Sequence, residues 1–148
     1  VDYPSSDEEL QILKKMGKIN TNLDKKSVAT TKQILSARKL IDQIHIAENI
    51  QKYIVSLVFA SRNPDSYGLN DLSTFINFGS SPRATIFLAM ASKAHAFLYK
   101  RGYVIPDDVR TVGQAILRHR IILTYEAEAE EVTTEHIIKR IFESVPTP

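Results

Sequence analysis

The sequence predicts an all-α protein, a bundle of roughly six helices with at most a few very short strands. Three observations carry that prediction. Apolar residues recur at i, i+3 and i+4 along several separate stretches. Start signals of Ser, Thr or Pro and stop signals of Gly or Pro bracket most of them. Strand-like runs shrink to scraps such as Ile44-His45-Ile46 and Ile121-Ile122-Leu123. No internal repeat or low-complexity segment divides the chain, so one helical domain over residues 1–148 is expected.

The first helix is expected from about Asp7 to Met16. Ser6 and Glu9 stand at capping-box spacing, acids open the helix, Lys14, Lys15 and Lys18 close it, and Gly17 stops it. Leu10, Leu13 and Met16 form a narrow apolar stripe, which suits a surface helix packed along one edge. A polar linker from Ile19 to Ala29 leaves Lys25 and Lys26 solvated. Thr30 or Thr31 caps a second helix to about Ile41, with Ile34, Leu35, Ala37, Arg38 and Ile41 on one broad face. His45 reads as a packed or edge histidine, since no second ligand stands at metal spacing. Glu48 to Ser61 is the third helix, with Ile50, Tyr53, Ile54, Leu57 and Val58 on one side. Residues 64–78 then gather turn formers from Pro64 to Ser73, a loop of a length that is often functional or mobile.

The fourth helix begins at Gly79-Ser80-Ser81-Pro82-Arg83. Gly79 frees the backbone to turn, Ser81 is a good N-cap, and Pro82 suits the first helical position, where its missing N–H costs nothing. Phe87, Met90, Ala91, Ala94, Phe97 and Leu98 are expected to face the core, and Gly102 to be the C′ residue. Pro106-Asp107-Asp108 opens a fifth helix with Val109, Val112, Ile116 and Leu117 turned inward. The acidic run Tyr125 to Glu131 reads as a solvated turn or helix end. Thr133 caps the last helix, which buries Ile137, Ile138, Ile141 and Phe142 and keeps Lys139 and Arg140 outside. His95 and His136 read as structural.

Composition bounds the function. With 43% hydrophobic and 24% charged residues the chain is an ordinary globular one, and disorder is not expected. Nineteen Lys and Arg against seventeen Asp and Glu leave a net charge of +2, which argues for neither a nucleic-acid nor a membrane partner. The absence of Cys removes disulfides, thiolate metal sites and Cys nucleophiles, and suits a reducing, cytoplasmic setting. The longest apolar runs fall short of the ~20 residues a membrane helix needs. A start at Val1 is expected of a processed or excised piece. No phosphate-cradling glycine loop, zinc-protease helix or nucleophile elbow occurs, so the chain is not expected to be an enzyme by itself.

Arg83 is the residue that composition does not explain. It is a cation in a first helical turn, where the macrodipole disfavours positive charge by roughly 0.3–1 kcal/mol. Two readings follow: a solvated surface arginine beside an ordinary cap, or a guanidinium and free N–H groups that together receive a phosphate oxygen.

Four motifs then stand in a recognisable order: Gly79-Ser80-Ser81-Pro82-Arg83-Ala84, Gly102 to Val109, Leu117-Arg118-His119-Arg120-Ile121, and Leu123 to Glu130. In that order and spacing they resemble the C-terminal lid of MoxR-type AAA+ ATPases, and Tyr3-Pro4 with Ser6 to Leu10 resembles the segment after the family's nucleotide-binding core. The resemblance covers nearly the whole chain, and the loop 64–78 is a departure from shorter family members. It implies that the P-loop, the Mg²⁺-binding acids and the arginine finger lie upstream of this chain. It implies that Arg83 is the sensor-2 arginine reaching the γ-phosphate of ATP, with Ser80, Ser81 and Pro82 as backbone contacts near the nucleotide. The cofactor implied is ATP with Mg²⁺, in the intact protein only. The partners implied are the protein's own AAA+ core, neighbouring subunits of a homo-oligomeric ring, expected to be a hexamer, and a client or von Willebrand factor A-type protein. Arg118, His119 and Arg120 are expected to pair with Glu126 and Glu128 within the lid or between subunits. The competing readings are an independent protein- or nucleic-acid-binding module using Arg118, Arg120, Lys139 and Arg140, and an oligomerisation domain whose Arg83 meets a carboxylate.

Overall fold

The computed structural model describes residues 3–17 and 26–148. The chain divides into two compact units, Val1–Ile34 and Leu35–Pro148. Among the described residues there are seven α-helices, two 3₁₀ turns and one two-stranded sheet, an all-α protein as expected. The helix beyond the expected six is α6, Tyr125–Ala129, in the acidic run. Thr124 caps it by accepting the Ala127 N–H at 3.3 Å and Ala127 is fully buried, while the rest of the run is exposed and closes in a turn at Glu130 and Glu131, solvated as expected.

In the first unit, α1 spans Ser6–Met16 and is capped by Ser5 rather than Ser6. Glu8 accepts the Ser5 N–H at 2.8 Å and donates its own N–H to Ser5 Oγ at 3.4 Å. Two boxes of equal spacing overlap in the sequence, and the earlier one adds a helical residue. No residue of α1 is buried, and the stripe of Leu10, Leu13 and Met16 is exposed. Lys18, Lys25 and most of the expected linker lie outside the described residues. The helix α2, Thr31–Asp42, starts on a reciprocal Thr30–Gln33 pair and runs across the boundary between the units. Of its expected broad face only Ala37 and Ile41 are half-buried.

The second unit holds the core. Its α3, Glu48–Arg62, buries the five residues expected and also Ala60 and Ser61. His45 sits at an edge: its N–H donates to the Gly102 carbonyl and its carbonyl accepts the Val104 N–H, each at 3.0 Å. The stretch 64–78 is better ordered by packing than its turn formers suggest. It folds into the 3₁₀ turns Pro64–Tyr67 and Asn70–Leu72, drops Leu69 and Leu72 into the core, and ends in β1, Ile76–Phe78. β1 pairs antiparallel with β2, Ile122–Leu123, and Arg140 ties Asp71 to the last helix, α7, Thr134–Ser144, at 2.8 Å.

The helix α4, Pro82–Leu98, packs chiefly on α5, Pro106–Leu117, and on α3. Its buried residues are Ala84, Leu88, Ser92 and Ala96, while Phe87, Met90 and Leu98 are exposed, so the expected face is rotated. The reason is physical. α4 is apolar on nearly every side, and the small side chains face inward because they let its neighbours approach. Its C-terminus also differs from expectation. Lys100, not Gly102, takes the left-handed position at φ 57°. The Arg101 N–H reaches the Ala96 carbonyl and the Lys100 N–H the Phe97 carbonyl, each at 2.9 Å, which is the Schellman pattern. A non-glycine residue there costs roughly 1–2 kcal/mol, and what it achieves is to aim Arg101 back at α5.

The last helix, α7, Thr134–Ser144, agrees with the sequence reading in cap and buried face alike. It lies so close to α5 that a Cβ on Gly113 would come within 2.3 Å of the Phe142 ring.

Candidate functional site

The site is built where α3 ends and α4 begins. Gly79 lies directly on the last turn of α3: a Cβ there would stand 2.2 Å from the Ser61 carbonyl oxygen and 2.8 Å from the Arg62 Cα. Its backbone is not in the left-handed region, so glycine is needed here for closeness and not for turning, contrary to the sequence expectation. Ser80 is fully buried and donates its N–H to Ser61 Oγ at 2.9 Å. That N–H therefore points into the protein and holds the turn. Ser81 is the extended N-cap residue, with φ −74° and ψ 167°; its carbonyl accepts the Ala84 N–H at 2.8 Å and its side chain makes no cap bond. Pro82 follows at the first helical position, and Arg83 next, with its side chain in solvent.

Among the described helices, this end and the start of α2 are the two whose first turns carry no acid. The first turns of α1 and α5 carry Asp7, Glu8 and Glu9, and Asp107 and Asp108, which neutralise the positive pole of each helix. The first turn of α4 carries no acid. Among the described residues Arg83 has no ion pair, so a guanidinium and a helix pole add their potentials in open solvent. Chemically, the arrangement can donate to one anionic oxygen. An apolar groove of about 760 Å³ begins at Thr85 and Ile86 and runs between α3 and α4 past Val55 and Met90.

The opposite end of α4 holds a cluster that sequence reasoning missed. Asp108 is completely buried and accepts from four donors: the Ile105 N–H at 2.8 Å, both terminal nitrogens of Arg101, one at 2.8 Å, and His95 Nδ1 at 2.6 Å. Burial alone would push this carboxyl up, but the Arg101 guanidinium, the Ile105 amide and His95 outweigh it and hold the pKa down at about 2. The cluster fastens α4 to α5, and Arg101 also donates to the Tyr103 carbonyl at 3.0 Å. Only its placement at the third residue of a helix, where a carboxylate can return to the cap N–H, was visible in advance.

A family model described as AAA lid domain matches residues 71–141, from the second 3₁₀ turn into α7, with Arg83 inside it. The whole chain is 36% identical over 148 residues to Chaperone MoxR1 of Mycobacterium tuberculosis. The chain is a lid domain of the MoxR type. The lid covers 39% of that chaperone. It is 36% identical over 110 residues to Protein MoxR of Paracoccus denitrificans, matching 70% of the lid and 32% of that protein. It superimposes, over its full length, on 45% of the crystal structure of a putative ATPase from Cytophaga hutchinsonii, with a TM-score of 0.88 and 38% identity. The lid thus spans less than half the length of these relatives.

The cations of the competing nucleic-acid reading have acidic or carbonyl neighbours within the lid, two of them only as loose, exposed pairs. Arg118 lies 4.0 Å from Glu135, Lys139 4.0 Å from Glu143, and Arg140 2.8 Å from Asp71. Arg120 donates to the Ile116 carbonyl at 2.6 Å and lies 5.1 Å over the Phe87 ring. Pairing of Arg118 and Arg120 with Glu126 or Glu128 inside the lid is therefore not what these arginines do. No helix among the described residues is long and apolar enough to cross a membrane.

Proposed function

We propose that the lid closes over ATP and Mg²⁺ held by a nucleotide-binding part of the protein outside this chain, and that Arg83 donates to a γ-phosphate oxygen. The observation that carries this reading is an exposed guanidinium, without an ion pair among the described residues, in the acid-free first turn of α4. Loss of that oxygen on hydrolysis removes the charge-assisted bond and releases the lid. Ser81 and Pro82 lie alongside the nucleotide, while Ser80 acts from beneath. When bound, the nucleotide supplies the phosphoryl group whose transfer to water drives the motion. The acids that hold Mg²⁺ belong to that other part. In the assembled protein the lids belong to a ring of identical subunits, a hexamer, in the cytoplasm. Their movement remodels or matures a client, of which a von Willebrand factor A-type protein is one.

Arg83→Ala in the intact protein is expected to lower the kcat for ATP roughly 10- to 100-fold. Its effect on unfolding is expected to stay within about 0.5 kcal/mol, with a slight gain, because a cation leaves a positive helix pole. Steady-state turnover and urea unfolding check both halves, and unchanged turnover would remove the proposal.

A further inference from the structure

We infer that Ser61 is a positioning residue for Arg83, an inference that rests on the phosphate-sensing reading above. Ser61 is the penultimate residue of α3 and is fully buried. A serine in the last turn of a helix ordinarily satisfies its hydroxyl on a carbonyl of the preceding turn, and Ser61 does so, donating to Val58 at 2.7 Å. Its oxygen also accepts the Ser80 N–H, nineteen positions further along the chain. The same residue's carbonyl is the surface on which Gly79 rests.

One residue of α3 thereby fixes two consecutive residues of the turn. Pro82 sets its own φ by its ring, so little backbone freedom is left before Arg83. The anchor is firm because α3 is itself held by Tyr53, Ile54, Leu57 and Val58 in the core. The hydroxyl of Ser80 is buried without a hydrogen-bond partner among the described residues, so the bond from its N–H to Ser61 Oγ is the side-chain tie that holds this residue. The Ser61 hydroxyl thus carries the rigidity of the core to a guanidinium that stands in solvent.

The test uses the intact protein and a double-substitution cycle. Ser61→Ala is expected to lower kcat for ATP about tenfold with KM within about twofold, because a donor displaced by an ångström loses most of its effect. In an Arg83→Ala background the same change is expected to alter kcat less than about twofold, since the positioned group is gone. Thr133→Ala, which removes the distant α7 cap, serves as the destabilised control and should change kcat less than about twofold in either background. An equal fall on Ser61→Ala in both backgrounds would overturn the inference, because it would show a general structural effect. Amide hydrogen exchange gives a readout independent of turnover. The Ser80 amide should be protected in the unsubstituted protein, and Ser61→Ala should speed exchange over residues 79–84 about tenfold while α7 is unchanged. A fast-exchanging Ser80 amide in the unsubstituted protein overturns the inference without any variant. If Arg83→Ala leaves turnover unaltered, the phosphate-sensing reading fails, and exchange alone decides whether Ser61 holds the turn.

Discussion

Asp108→Ala is expected to destabilise the lid by about 3–5 kcal/mol, the largest loss of any single substitution on its surface or in its core polar groups. The carboxylate is wholly buried and is the shared acceptor for Arg101, His95 and the Ile105 amide. Truncation leaves a half-buried guanidinium and a cap N–H without the acceptor they were folded around, and both desolvation costs then stand uncompensated. Lys100 also loses its reason to sit at φ 57°, since the Schellman turn exists to return Arg101 to α5. Urea unfolding monitored by circular dichroism measures the loss, and a change below about 1 kcal/mol would mean that the cluster contributes geometry but little free energy.

The same carboxylate sets an acid limit. Its pKa in the folded lid is about 2, below the ordinary value of 3.8. A depressed carboxyl contributes stability that is fully present above the unfolded pKa and is lost as pH falls toward the folded one. The window therefore lies between about pH 4 and pH 2, and the contribution at neutral pH is roughly 2 kcal/mol. Stability curves for the unsubstituted lid and Asp108→Asn should converge as the pH is lowered through that window.

Gly79→Ala should rank second, at about 3 kcal/mol, because the added methyl meets backbone rather than flexible side chain. The atoms in the way are the Ser61 carbonyl oxygen at 2.2 Å, the Ser61 carbonyl carbon at 2.5 Å and the Arg62 Cα at 2.8 Å. None can swing aside. The turn has to lift from α3, which breaks the Ser80 to Ser61 bond and tips the start of α4. Two readouts should fall together, the unfolding midpoint of the lid and ATP turnover of the intact protein. Full turnover in a destabilised Gly79→Ala variant would show that the close approach serves stability alone.

How much of this was legible depends on whether a residue's partner is local. The last helix was readable because Thr133 caps it within one turn and its apolar residues are separated cleanly from Lys139 and Arg140. The beginning of α4 was readable from Ser81-Pro82, and Arg83 announced itself by opposing the helix dipole. The inward face of α4 was not readable. With Ile86, Phe87, Met90 and Leu98 outside and Ala84, Leu88, Ser92 and Ala96 inside, close packing against its neighbours and not polarity decides its orientation. Gly102 looked like the natural C′ residue by composition, but a tertiary bond from Arg101 to Asp108 moved that position to Lys100. Leu69 and Leu72 were hidden among turn formers although both are core residues. Ser61 gave no signal at all, since a serine closing an apolar helix is unremarked until the backbone amide it accepts is folded onto it.

Because α4 is fastened near both of its ends, at Ser80 and through His95 and Arg101, it is tied to its neighbours as one stiff rod. Its 17 residues make a rod ~25 Å long. A displacement of ~2 Å at one tip corresponds to a tilt of only about 5° over that length, small enough for the flanking helices to follow without local melting. Leu98 and Tyr99 stand in solvent at the far tip. If Arg83 reads a phosphate as proposed, a surface resting against them would be nudged by its gain or loss at the other end of the rod.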